Sequence, residues 1–324
     1  MQPILFIADQ WETLDYSRDS TLHLAKSALE DFQSPCFWTL EKNIFLEKNS
    51  LFVKTCGELQ VTSNLAQMLK EKQEVMPLDF FHSIHWRVDP PVTLQTFRLW
   101  QLLTVFEQKL KFFNSPRGML NLNEKFSNFY FSNWFIESFI SNEEETWKNF
   151  YKNINQSNPR ATIIVKPASN AASRGVQILP TNWEAAQPIL IKMQQEHGPW
   201  LVIQEFDEKI LNLGETRVFI LNGEVIGALN KKPKPLRPIN NLDAPPNERP
   251  TMTICGLSTE QESRSQTIAQ KLKQEGIYLA TIDFIGSCLL EINVTSPGLL
   301  KWFDENHLYT NTTTFAQKYW KNIL

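Results

Sequence analysis

TIDFIGSCLLEINVTSPG, Thr281 to Gly298, places an aspartate, a glutamate and an asparagine inside two runs that otherwise read as buried strand. YLATIDFI and LLEINV are apolar and β-branched, with Gly286-Ser287-Cys288 between them, which is the pattern of a β-hairpin. If those three residues form the loop, pairing sets Asp283 opposite Glu291, and strand alternation puts Asn293 on the face of Glu291. A two-residue loop would send the two carboxylates to opposite faces. Two bare carboxylates in such a setting lose hydration and repel each other, so a partner cation is the economical explanation. Oxygen donors without His or Cys suit Mg2+, with Mn2+ as the alternative, and such an ion takes the rest of its shell from water and phosphate. On spacing alone, a metal site, a structural hydrogen-bond cluster and an exposed hairpin all stand.

The chain around this hairpin has 324 residues, 42% of them hydrophobic and 12% aromatic, enough for a sizeable core and two or three subdomains. A net charge of −3, from 32 basic and 35 acidic residues, gives no overall field for nucleic acid or an anionic membrane, and neither is expected as a partner. MQPILFIADQWET has no basic region or cleavage site, and no apolar window approaches about 18 residues, so a cytoplasmic protein is expected. Cys36, Cys56, Cys255 and Cys288 have neither metal nor disulfide-framework spacing and read as reduced thiols. The five histidines show no metal spacing either.

PILFIA, then a polar loop, then Leu22, Ala25, Leu29 and Phe32 at helical spacing behind Ser20 as a cap, form a strand-loop-helix opening. CFWTL and SIHWR add short apolar runs, so an open parallel sheet is expected up to about residue 122, with Asp9 and Arg87 at the carboxyl ends of strands. EKFSNFYFSNWFIESFI reads as an aromatic-rich helix capped by Asn123. The strand TIIVKP, the loop SNAASRG, the strand VQIL and a helix from Trp183 to His197 ended by Gly198-Pro199 follow, then LVIQEF. Asn222-Gly223 between apolar runs is a strong hairpin signal. KKPKPLRPINNLDAPPNERP, with six prolines, reads as a long loop, and Ser258 with Gln261 as the capping box of the next helix.

Phosphate chemistry needs cations. Lys166 ends the apolar strand IIVKP, Lys125 lies in the first turn of the expected aromatic helix, and Arg217 sits inside the strand TRVFI. Each one alone is more often a structural ion pair; beside the acid cluster they point to a nucleotide site.

The set Asn123-Glu124-Lys125, Ile164-Val165-Lys166-Pro167, Gln204-Glu205-Phe206, Glu215-Thr216-Arg217 and IDFIG before LLEINVTSP resembles the ATP-grasp ligases, in particular bacterial glutathione synthetase. WRVDPP (Trp86 to Pro91) and SRDS (Ser17 to Ser20) resemble that family's substrate-side motifs, so the likeness runs through nearly the whole chain in the same order. It implies an α/β and α+β architecture: an ATP-grasp fold with an amino-terminal open parallel-sheet (pre-ATP-grasp) domain over residues 1–122, a small lid subdomain over 123–203, and a carboxyl-terminal subdomain with the metal site over 204–324.

The resemblance implies these roles. Lys125 and Lys166 hold ATP phosphates, with Ser173 as a further donor; Gln204, Glu205 and Phe206 form the hinge at the adenine; Glu215 and Asn241 serve nucleotide binding. Asp283, Glu291 and Asn293 hold Mg2+. Arg217, near the transferring phosphate, and Arg237 are the catalytic cations. Arg18, Asp19, Ser20 and Arg87 contact a peptide substrate, and Ser296 and Pro297 form the pocket of the incoming amine. The implied reaction is ATP-dependent, ADP-forming ligation of a carboxylate to an amine through an acyl phosphate, most directly glutathione synthesis, by a homo-oligomer acting on small peptides and amino acids. The loop after Lys166 keeps only Gly175 of the family's glycines; in the second lid Arg237 lies two residues before the family's arginine position, which is Ile239 here. These changes leave a ligase with another amine or peptide substrate, and a nucleotide-binding protein without catalysis, as alternative readings.

Overall fold

The computed structural model describes residues 2–122, 125–131, 133–158, 161–168, 175–234, 248–307 and 313–324. Ile4–Ala8 is buried along its whole length and runs parallel between Cys36–Thr39 and Ser83–Arg87. Continuous apolar strands are what a sheet covered on both faces requires. Phe112–Phe113 extends this parallel core, while Gly57–Leu59 and Leu69–Glu71 add an antiparallel edge, giving six strands. Asp9 follows the first strand and Arg87 ends another, both at the carboxyl edge. The helix Ser20–Glu30 is capped by Asp19, whose side chain accepts the Leu22 N–H at 2.8 Å, and not by Ser20. The carboxylate reaches the third helical N–H, which leaves Ser20 free to become the first helical residue.

A four-stranded antiparallel sheet orders Ser138–Ser141, Leu201–Glu205, Ile163–Pro167 and Gln177–Leu179. The helices Glu144–Ser157 and Trp183–His197 cover it, and Trp147, Tyr151, Ile163, Val165, Leu190 and Ile203 share an apolar cluster of their own. The aromatic helix expected over EKFSNFYFSNWFIESFI is not formed. Ser127–Phe131 is one short 3-10 turn and Ser138–Ser141 an edge strand, so tertiary pairing overrides a segment that is apolar on every side and has no helical stripe.

The third sheet is antiparallel, in the order Thr251–Cys255, Glu224–Lys232, Glu215–Leu221, Leu279–Ile285 and Cys288–Asn293. The helix Thr259–Gln274, with the Ser258–Gln261 capping box in place, packs Ile268 and Leu272 on Val218, Ile220 and Ile282, and Leu5, Trp86 and Leu103 of the amino-terminal region join the same cluster. On the other face Phe219, Leu221 and Leu279 meet Phe303, Phe315 and Trp320 together with Ile4 and Phe6. The six-stranded and five-stranded sheets are therefore joined through shared apolar clusters.

Candidate active site

One face of the five-stranded sheet changes character along its strands. Leu221 and Phe219 are in the apolar cluster; two and four residues back on the same face stand Arg217 and Glu215. Leu279 and Thr281 lead in the same way to Asp283, which is 1% exposed. Arg217 and Asp283 are directly paired, and the guanidinium holds the carboxylate through Nε at 2.8 Å and an Nη at 2.6 Å. Asn293 donates Nδ2 to Asp283 Oδ2 at 3.1 Å. Burial alone would raise the Asp283 pKa; Arg217, then Lys231, outweigh it and hold the carboxyl well below its usual range.

Lys231 is a site residue that the sequence reading missed. It is 3% exposed, pairs with Glu215 and lies 3.7 Å from Asp283 Oδ1. The reason is a bulge. The Asn222-Gly223 turn starts a register in which Leu221 faces Glu224 and Ile220 faces Val225, but the pairing shifts by one, so Phe219 faces Gly227 and Glu215 faces Lys231. Without the shift Glu215 would face Asn230 and Lys231 would turn to the other side.

The hairpin at Thr281–Gly298 uses the same device. Its loop is Gly286-Ser287 alone, since Ile285 pairs with Cys288, so the three-residue loop is not formed. A one-residue bulge before Glu291 restores the parity, and Asp283 faces Glu291 as expected, for a different reason. Asn293 pairs with Thr281 one step along the same face.

The lysines approach from the four-stranded sheet. Lys125 lies in a turn, not in a helix, and pairs with Glu291. Lys166, on Ile163–Pro167, lines with Lys125, Gln204, Ser138, Phe135 and Glu291 one narrow cleft. Burial pulls the Lys166 ammonium down to about 8, with Glu291 opposing and Lys125 adding to the fall. Gln204 is 4% exposed and donates to Ser138 Oγ, while its Oε1 has no hydrogen-bond partner among the described residues. Glu205 is on the opposite side of the strand, exposed and bonded to Asn158 Nδ2 at 2.7 Å; Phe206 donates its N–H to Thr162 O at 2.7 Å. Ser173, Arg237 and Asn241 lie outside the described residues, as do Asn123 and Glu124.

At the carboxyl edge of the parallel sheet, Arg87 is 4% exposed and donates to Thr21 Oγ1 at 3.1 Å and Pro297 O at 2.9 Å. Ser296 Oγ donates to Arg87 O at 3.3 Å, and Ser20 Oγ accepts the Leu300 N–H at 3.1 Å. Arg87, Ser20, Ser296 and Pro297 are thus brought together, with Asp19 beside them. Arg18 stands apart, paired with Asp15 on the surface. Burial raises the Asp19 pKa and pushes Asp9 to about 6, although Asp9 accepts the Asp89 N–H at 2.9 Å.

Two carboxylates and an amide, on adjacent strands, are a hard-oxygen set that fits a divalent ion. No group of three His, Cys, Asp or Glu side chains is placed to hold a metal among the described residues, so the amide of Asn293 is needed as the third donor. Here Lys125 and Arg217 supply the charge that such an ion would bring. No helix of the described residues is long and apolar enough to cross a membrane.

The model of the prokaryotic glutathione synthetase ATP-grasp domain matches residues 124–307, and that of the prokaryotic glutathione synthetase N-terminal domain matches residues 3–119. A glutathione synthetase of Neisseria meningitidis serogroup A is 28% identical over 303 residues, 91% of each chain. One of Synechocystis sp. is 25% identical over 320 residues, 93% of each chain. The fold is that of a D-cycloserine synthetase, with a TM-score of 0.66 at 13% identity over 99% of this chain and 100% of the other. It is also that of the D-alanyl-alanine synthetase A of Vibrio cholerae, with a TM-score of 0.59 at 12% identity over 99% and 97%. With both family models matched in order along it, the chain belongs to the prokaryotic glutathione synthetase family and is an ADP-forming ATP-grasp ligase.

Proposed function

We propose that this ligase makes glutathione from γ-glutamylcysteine and glycine through an acyl phosphate. The observation that carries the reading is the meeting of Lys125, Lys166, Gln204 and Glu291 around one cleft, with Arg217, Asp283 and Asn293 next along the same sheet. ATP-grasp ligases work with ATP and a divalent metal ion; the ion proposed here is Mg2+, with Asp283, Glu291 and Asn293 to hold it. When bound, such an ion neutralises phosphate oxygens.

Lys125 and Lys166 hold the phosphates, assisted by Ser173 and Asn241, and Glu215 acts on the nucleotide side. Gln204, Glu205 and Phe206 meet the adenine; the partnerless Oε1 of buried Gln204 supports this, since it is an acceptor waiting for a donor. A carboxylate oxygen of the peptide attacks the γ-phosphorus and ADP leaves; Arg217 and Arg237 stabilise the charge on the transferring group. The amine nitrogen then attacks the acyl carbon, the C–N bond forms and inorganic phosphate departs. Positioning and charge carry the reaction, and no protein nucleophile is required. Arg87, Asp19 and Ser20, with Arg18 from the surface loop before them, take the peptide, and Ser296 and Pro297 the amine.

The test is incubation with MgATP and γ-glutamylcysteine, with and without glycine, following ADP and product. Glycine-dependent ADP and glutathione are expected. ADP formed only with another amine or dipeptide would sink the glutathione assignment and leave the ligase. A cytoplasmic homo-oligomer is part of the proposal. The exposed Leu94, Phe97 and Val105 along one helix, and four free cysteines, support it, and sedimentation velocity checks the assembly.

A further inference from the structure

One junction away from the cleft ties the two halves of the site together. The helix Thr259–Gln274 meets the Gly286-Ser287 turn, where Gln261 Nε2 donates to Gly286 O at 2.7 Å and Arg264 donates to Ser287 O. The same guanidinium pairs with Glu260 and lies 5.6 Å from the centroid of the Trp134 ring, within cation-π range. Trp134 stacks on Phe131 at 5.5 Å, its carbonyl accepts the Leu289 N–H at 2.7 Å, and Ile136 N–H donates to Leu289 O at 3.0 Å. Trp134 to Ile136, downstream of Lys125, are thereby fastened, as one parallel bridge, to the edge of the strand that carries Glu291. Lys125 itself pairs with Glu291, and Phe135 lines the cleft.

We propose that Arg264 is a positioning residue for nucleotide binding: it clasps the strip that carries Lys125 to the hairpin that carries Asp283 and Glu291, and so sets the spacing between the phosphate-side lysine and the metal-side carboxylates. The inference rests on the phosphate role proposed for Lys125. Arginine suits the task because its planar face covers an indole while its N–H edges reach a carbonyl and a carboxylate at once; an ammonium is a point charge and cannot do both. The peptide end is held by different contacts, from Arg87 to Thr21 and Pro297, so loosening the clasp acts on the nucleotide alone.

The experiment compares Arg264→Gln, Arg264→Lys and Lys125→Met in the full chain. It measures calorimetric affinity for MgATP, KM for each substrate, kcat and the thermal midpoint. Arg264→Gln is expected to weaken MgATP binding about tenfold, about the worth of one charge-assisted hydrogen bond. KM for γ-glutamylcysteine should stay at the wild-type value, and Arg264→Lys should remain closer to the glutamine variant than to wild type. Wild-type MgATP affinity in Arg264→Gln, or a parallel loss of nucleotide affinity, peptide affinity and thermal midpoint, would overturn the clasp. Unchanged affinity in Lys125→Met would remove the reading beneath it, and the proposal with it. A loss in Lys125→Met with none in Arg264→Gln would defeat the clasp alone.

Discussion

Arg217 and Asp283 stand at directly paired positions of adjacent antiparallel strands and are joined by two hydrogen bonds, of 2.8 and 2.6 Å. The pair has little exposure, with Lys231 and Asn293 at its sides, so the carboxylate has a structural role whatever else it does. Asp283→Asn is expected to stop turnover and to cost about 3–5 kcal/mol of stability, because it leaves Arg217 without the carboxylate it pairs with and takes from Lys231 one of its two. Glu291→Gln should stop turnover at a cost of about 1 kcal/mol or less, since the Glu291 side chain is 21% exposed. Urea unfolding of the two variants checks the contrast, and equal stabilities would defeat it.

Lys231→Met should destabilise the protein by about 3 kcal/mol, since Glu215 and Asp283 lose a buried partner. Adding Glu215→Gln should recover part of that loss, because the two changes act on one ion pair and are not additive. A double-mutant cycle in urea reads the coupling, and strict additivity would show that the pair contributes nothing.

Lys125 pairs with Glu291, one of the carboxylates proposed for the metal, so the two cations compete for it. Free Mn2+ should therefore bind weakly to the ligand-free protein. Lys125→Met should bind Mn2+ several-fold more tightly and MgATP less tightly, as linkage through one shared carboxylate requires. Electron paramagnetic resonance of Mn2+ measures the first effect. Equal Mn2+ affinity in both proteins would mean that Lys125 does not guard the site.

Asp9 has its pKa pushed by burial to about 6, above the 3.8 of an open chain. The folded state then holds a proton that the unfolded chain gives up between those values, so stability from this group is intact below the lower value and lost as pH rises through the upper. Asp9→Asn keeps an oxygen for the Asp89 N–H and should stabilise the protein by about 1–2 kcal/mol at pH 7.5, with the gain shrinking toward zero near pH 4. Urea titrations across that range check it; a gain independent of pH would rule out the carboxylate as its origin.

Much of the fold is legible in local pattern. The strands Ile4–Ala8, Ile163–Pro167 and Leu201–Glu205, the helix Trp183–His197 and the Ser258 capping box stand where apolar runs and caps place them. The helix Glu144–Ser157 was legible too, through Trp147, Phe150, Tyr151 and Ile154 at helical spacing, and went unread. The segment around Ser127 to Ser141 is not legible, because aromatic side chains on every side of the expected helix hold no information on which neighbour will take them.

The sequence by itself marked the candidate side chains, since Lys125, Lys166, Arg217, Asp283, Glu291 and Asn293 are charged or polar residues in apolar runs, where burial must be compensated. Tertiary structure alone decided how they face one another. Strand parity has a period of two, so a single bulged residue turns every later side chain to the other face; Gly227 marks the bulge that brings Lys231 to Glu215, whereas the one that restores Glu291 to Asp283 falls in the apolar run CLLEIN. Both bulges lie on strands packed against the helix Thr259–Gln274 in one apolar cluster, so the faces they select are read only from contacts between segments far apart in the chain.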